Sequence, residues 1–232
     1  MSDPLEQLSA RLRYQFREPE LLEEAVTHRS VSERNNERLE FLGDSILNFV
    51  IADQLFQRQP NDSEGGLSRL RASLVNRETL ASIARQLDLG THLRLGSGER
   101  KSGGRRRDSI LSDALEGVFG AVYIDGGFIA CRDLIVRLYA ERLENLPSAA
   151  ELKDPKTRLQ EYLQSAKLSL PSYEVLDIAG KSHDQTFRVE CRVPGIEQVT
   201  VGEAGSRRRA EQRGAEAMLK ALNPNKADHH HD

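Results

Sequence analysis

One stretch constrains the fold of this 232-residue chain more than any other: DSILSDALEGVFGAVYIDGG, from Asp108 to Gly127. Isoleucine, leucine, valine, phenylalanine and alanine recur on nearly every side of the helix it would form, so that helix belongs in the interior of a helical domain. It nevertheless carries Asp113 and Glu116, one turn apart on one face. An ionised carboxylate buried without a partner costs several kcal/mol and otherwise takes up a proton. Acids in such a helix therefore call for a cation beside them, either arginines such as Arg69 or Arg71 or a metal ion.

The remainder of residues 1–147 supplies helices to surround it. Apolar spacings of three and four recur in LLEEAVTH, LEFLGDSILNFVIADQLF, LSRLRASLVNRETLASIARQL and CRDLIVRLYAERLENL. Breaks are expected at QRQPNDSEGG, LGSGERKSGG and DGG, where glycine, proline and polar residues gather. This part reads as all-α. A polar linker follows at 148–153, and Asp154-Pro155 is a helix start, an Asp N-cap with proline at the first helical position. TRLQEYLQSAKL then reads as a helix, SYEVLDIAG, QTFRVECRV and EQVTVGEAG as strands, and SRRRAEQRGAEAMLKAL as a closing helix with Ala210, Ala217 and Leu219 among its packing positions. Residues 154–223 thus form a small α+β unit of order α-β-β-β-α. Residues 224–232 are read as a flexible polar tail whose three histidines carry no assigned function.

Composition narrows the class. A hydrophobic share of 38% and a charged share of 30% describe a soluble globular protein. No apolar run approaches the roughly 20 residues of a membrane span, and acids and arginines interrupt the N-terminal MSDPLEQLSARLRYQF throughout, unlike a signal peptide. The expectation is a cytoplasmic protein with no membrane partner. Cys131 and Cys191 match no metal-ligand spacing and read as buried thiols of a reducing compartment. The net charge of −3 excludes a globally basic nucleic-acid binder. Basic clusters at 100–107 and 206–213 suit a protein that grips a polyanion at chosen places, although either run alone would also suit a solvated surface.

A second set of acids lies in NNERLEFLGDSIL. On a helix, Glu37, Glu40 and Asp44 fall within an arc of about 60°. Leu39, Leu42, Ile46, Phe49 and Val50 should cover the opposite side, where Gly43 permits close packing. Taken alone, this is the wet face of an amphipathic helix. Beside Asp113 and Glu116 it becomes half of an all-oxygen site, which favours Mg²⁺ or Mn²⁺ over zinc. Such a site near basic loops points to phosphodiester chemistry.

NERLEFLGDS closely resembles the signature of the ribonuclease III nuclease domain. SEGGLSRLRASLV, LGSGERKSGG and DSILSDALEGVFGAVYIDGG follow in that family's order, and the C-terminal unit resembles its double-stranded-RNA-binding domain. The resemblance implies a homodimeric Mg²⁺-dependent endoribonuclease, with Mn²⁺ able to substitute, acting on double-stranded RNA. Staggered cuts leaving 5′-phosphate and 3′-hydroxyl ends, and roles in rRNA and mRNA processing, come with it. By position it assigns metal ligation to Glu40, Asp44, Asp113 and Glu116. Catalysis falls to Asp44 and Glu116, with Glu37 and Glu64 as additional acids. Asn36, Thr27 and His28 also match, and His28 reads as a structural hydrogen-bonding residue. The family's aromatic at Phe41 helps form the dimer contact, with core packing as the alternative.

The same resemblance sends one face of the first helix of the small unit, Thr157, Gln160, Glu161 and Gln164, into a minor groove of the duplex and His183 into the next. Arg207, Arg208 and Arg209 open the last helix, where phosphate is also favoured by the helix dipole. The chain departs from the family at Glu211, where a lysine is frequent. The rival reading is a non-catalytic double-stranded-RNA-binding scaffold that kept the nuclease fold. The complete set of acids counts against it.

Overall fold

The computed structural model describes residues 4–149, 151–181 and 184–223 and divides into two compact units, Met1–Ala149 and Ala150–Asp232. The first is all-helical. Its elements are α1 (Pro4–Leu12), α2 (Pro19–Ala25), α3 (Glu37–Arg58), α4 (Glu64–Leu74), α5 (Arg77–Gln86), α6 (Leu89–His92) and α7 (Ser97–Lys101), a 3₁₀ turn at Gly104–Arg106, then α8 (Asp108–Leu138) and α9 (Ala140–Glu144).

The apolar stretch singled out above lies in α8, the centre of this unit. It packs against α3 most extensively, and also against α5 and α2. Leu115, Val118, Phe119, Ala121 and Val122 are fully buried. Each large apolar side chain among them contributes roughly 1.5–3 kcal/mol of transfer free energy. Backbones approach closely where glycines face each other: a Cβ on Gly43 would overlap the Glu116 carbonyl, and one on Gly120 would overlap the Leu39 carbonyl. The short distance between α3 and α8 is therefore written in these two glycines.

Several expected boundaries move. SEGG is the first turn of α4, where the Ser63 hydroxyl accepts from the Gly66 N–H (3.2 Å). The long run LSRLRASLVNRETLASIARQL is cut after Leu74, because Asn76 caps α5 by accepting from the Thr79 N–H. The break expected at DGG falls at Gly127, whose backbone (φ 78°, ψ −178°) is not helical, so α8 is two helical segments joined at a kink. Asp125 explains why the motif sits there: it accepts from the Tyr14 hydroxyl (2.6 Å) and from the Arg17 and Glu18 N–H groups, tying the α1–α2 connection to α8. Burial pushes its carboxyl up, but these three donors together hold it below the usual aspartate range.

Counted across the kink at Gly127, α8 reaches 31 residues with a mean hydropathy of 1.4 over its most apolar window. That is long and apolar enough to cross a bilayer, contrary to the expectation that no run approaches a span. Its apolar faces are spent on α3, α5 and α2 instead.

The second unit follows the expected order: α10 (Pro155–Ser165), β1 (Ser172–Ala179), β2 (Thr186–Arg192), β3 (Val199–Ala204) and α11 (Arg207–Leu222). The strands form one antiparallel sheet, β1-β2-β3, with a bulge between Val175 and Asp177. Asp154 caps α10 through the Lys156 N–H (2.9 Å). Leu159 and Leu163 of α10 pack with Cys191, Val193, Ala215 and Met218. Of the expected packing positions, Ala210 is buried and Leu219 packs against this cluster, whereas Ala217 is only half-buried; Gly214, Ala215 and Met218 complete the face. Gly214 and Gly202 let α11 lie directly on the sheet, since a Cβ on Gly202 would overlap the Ala210 carbonyl. Both cysteines are buried free thiols. The 224–232 tail lies outside the described residues.

Candidate active site and RNA-binding surface

Asn36 leads into α3 and is itself buried; its N–H donates to the Thr27 carbonyl (2.9 Å), and its carbonyl accepts the Glu40 N–H (2.8 Å). The first turn of α3 is thereby held where Glu40 faces α8. Oxygens of Glu40, Asp113 and Glu116 all lie within 4.8 Å of one another. Glu116 is 9% exposed. Burial, then the charges of Asp44, Glu40 and Asp113, push its carboxyl up to about 8. Glu40 is likewise raised, first by burial and then by Asp113, Glu37 and Asp44.

These acids oppose one another without a built-in counter-ion. Arg69 donates to the Ala149 carbonyl (3.3 Å), and Arg71 lines a groove elsewhere. Among the described residues, no ion pair reaches Glu40, Asp113 or Glu116. A divalent cation fits such a donor set: three carboxylates converge on one point, in a place where each disfavours the others' charge.

Asp44 is one turn further along α3 and lies outside the group of three. Its charge still acts on Glu40 and Glu116, and its Oδ1 accepts from the Asn48 side chain (2.8 Å). Glu37 is exposed and pairs with Arg29 (3.4 Å), a cation that also draws Glu40 downward. Glu64 is not brought to the cluster. It opens α4, accepts from the Ser68 hydroxyl (2.8 Å), and lines a groove of about 670 Å³ with Phe49, Phe56, Leu67 and Arg71. His28 sits in a hydrogen-bonded loop: its Nδ1 accepts the Ser30 N–H (3.2 Å), and the Ser30 hydroxyl oxygen accepts the Gly96 N–H (2.9 Å).

The apolar side expected for α3 needs a correction at Phe49, which is exposed and meets Phe128 edge-on at 5.7 Å. Phe41 and Phe56 are 79% and 72% exposed. Aromatics at 41, 49 and 56 recur at spacings near two helical turns, and helical periodicity alone does not separate a core stripe from a docking stripe. Asn48 and Arg29 were missed by sequence reasoning. The only signal for Asn48 was its i+4 spacing from Asp44.

In the second unit, Thr157, Gln160, Glu161 and Gln164 are all exposed on one face of α10, opposite buried Leu159 and Leu163. Glu161 accepts from Lys153 (2.7 Å). His183 lies outside the described residues. The three exposed arginines have different surroundings: Arg207 pairs with Glu211 (2.9 Å), Arg208 reaches Asp154 (3.8 Å), and Arg209 lines a cleft with Leu152, Asp154, Gln212 and Arg213.

Comparison with known proteins gives this geometry its context. The Ribonuclease-III-like family matches residues 18–143, and the Double-stranded RNA binding motif matches residues 155–222. A curated relative from Alkalilimnicola ehrlichii, Ribonuclease 3, is 63% identical over 96% of this chain and 97% of its own length. Ribonuclease 3 of Nitrosococcus oceani is 57% identical over 96% of each. Among solved structures, the nuclease domain of ribonuclease III from Campylobacter jejuni superposes with a TM-score of 0.58 at 43% identity, covering 59% of this chain and 96% of that one.

Proposed function

The chain belongs to the ribonuclease III family, and from that premise we propose that it is a homodimeric, Mg²⁺-dependent endoribonuclease of the cytoplasm that cuts double-stranded RNA. Mn²⁺ substitutes for Mg²⁺, the cuts are staggered with 5′-phosphate and 3′-hydroxyl ends, and the substrates are rRNA and mRNA precursors. The observation that carries the reading is the convergence of Glu40, Asp113 and Glu116 without a cationic partner.

Glu40, Asp44, Asp113 and Glu116 hold the cation. When bound, Mg²⁺ supplies a Lewis acid for the phosphodiester and for an attacking water. Asp44, at the exposed edge of the cluster and oriented by Asn48, accepts hydrogen bonds from groups on the substrate side. Burial, then the neighbouring carboxylates, hold the Glu116 carboxyl up to about 8, and a bound cation would favour its ionised, ligating form. Glu37, held by Arg29, and Glu64 contribute acids at the periphery. The nuclease domain of ribonuclease III from Campylobacter jejuni has a region involved in dimer formation. A second copy docking on Phe41, Phe49 and Phe56 gives the same arrangement here and places the groove bearing Glu64 at that junction.

Residues 148–153 link the nuclease domain, 1–147, to the RNA-binding domain, 154–223. The α10 face of Thr157, Gln160, Glu161 and Gln164 reads the minor groove with His183, and the arginines at 207–209 grip phosphate.

The test is incubation with labelled duplex RNA and single-stranded RNA, with and without Mg²⁺, followed by mapping of the ends. Mg²⁺-dependent cutting confined to duplex, with 5′-phosphate products, is expected. Duplex binding without cutting under any divalent cation would instead favour the scaffold reading.

A further inference from the structure

Glu211 stands at the head of α11 inside the run SRRRAEQR, where a negative charge should weaken a grip on RNA. It is not a free surface charge. Its side chain is 12% exposed; Oε2 accepts from the Lys156 ammonium at 2.7 Å, and Oε1 accepts from Arg207 Nε at 2.9 Å. The same ammonium lies 4.4 Å from the centre of the Tyr173 ring. Alongside, Asp154 accepts from the Lys156 N–H at 2.9 Å and from the Gln212 side chain at 2.6 Å. The heads of α10 and α11 are thus stapled together by two carboxylates. Burial pushes the Glu211 carboxyl up, but the bonds from Lys156 and Arg207 outweigh it and hold it below the usual glutamate range.

The way Arg207 is held matters. Its contact with Glu211 uses Nε, which leaves both terminal nitrogens as a planar pair of donors matched to a phosphate. A side chain already fixed in that attitude loses less rotamer freedom when it meets RNA. The staple also fixes the spacing between the α10 face and the head of α11, and duplex RNA is recognised by shape.

We propose that Glu211 is a positioning residue for duplex RNA: it orients Arg207 toward phosphate and locks the head of α11 to that of α10 through Lys156. The inference rests on the reading that the second unit binds double-stranded RNA.

Charge alone and the clasp make opposite predictions. Removing a carboxylate beside a polyanion should tighten binding by simple electrostatics, whereas opening the clasp should weaken it. The experiment measures dissociation constants of the full-length protein for labelled duplex and single-stranded RNA, across a range of salt and in EDTA so that cutting does not intervene. Glu211→Gln should bind duplex about fivefold more weakly, with the salt slope shallower by about one. In an Arg207→Gln background the same substitution should have little further effect. Glu211→Asp, which keeps the charge but withdraws it by one methylene, should also weaken binding.

Glu211→Gln binding as tightly as the parent or more so, or a loss that persists undiminished without Arg207, overturns the clasp. A parent protein with no preference for duplex overturns the underlying reading, and with it the inference.

Discussion

At the scale of single residues, Glu116 is the group on which the site turns. It is nearly buried, three other carboxylates crowd it, and its proton is held up to about pH 8. On the proposed function, Glu116→Gln removes a cation ligand without touching the groups of the second unit proposed to grip phosphate. Duplex cleavage should fall below detection while duplex affinity stays within about twofold, the scatter expected of a surface left unaltered; retained turnover in Mg²⁺ would remove Glu116 from the site. The raised pKa also sets a pH dependence. The unfolded chain releases this proton near 4.5 and the folded chain near 8, so the folded state binds more protons between those values. Its contribution to stability is whole below the lower value and is lost as pH rises through the upper one. In EDTA, the melting temperature should therefore decline from about pH 5 to about pH 8.5, with a slope that Glu116→Gln reduces. Scanning calorimetry across that range checks it. An equal slope in the variant would mean that Glu116 titrates normally.

At the scale of elements, two contacts govern function. The first is the approach of α3 to α8, which brings Glu40 opposite Asp113 and Glu116. Gly43→Ala drives a methyl group into the Glu116 carbonyl. Overpacking of this kind costs about 1–3 kcal/mol, and here it also spreads the acids. Chemical denaturation should show that loss, and Mg²⁺ should raise the melting temperature less than in the parent. A variant as stable as the parent would show that the two helices tolerate separation. The second contact is α10 on α11. Arg207→Ala with Arg208→Ala should weaken binding to all duplex sequences alike, and the salt slope should fall by about two. An unchanged slope would take both arginines out of the interface.

At the scale of the whole molecule, the exposed aromatics of α3 ask for a second copy of this chain. Residues 1–149, expressed alone, should fold as a helical dimer, and Phe41→Asp should turn that dimer into a monomer with little loss of helix. Light scattering with circular dichroism reads both; an unchanged mass would place the contact elsewhere. The sequence by itself determined the class of each half, because a polar connector ends at the Asp154 helix start and strand composition begins only beyond the helix that follows. It also determined that α8 is interior and that its acids need a cation, since apolar periodicity and the cost of burying charge are local properties. Gly43, the Asp154 cap and the three strands were legible for the same reason. What only the tertiary structure decided was how residues distant in the chain meet. Glu40 joins Asp113 and Glu116 while Glu64 does not, because one lies across the glycine-lined α3–α8 contact and the other opens a different helix. Phe49 points outward although its spacing matches the core stripe, because a helix's period does not say which of two apolar arcs finds a partner. Glu211, read alone as a misplaced charge, has Arg207 one turn back on its own helix but acquires Lys156 only once α10 and α11 lie side by side.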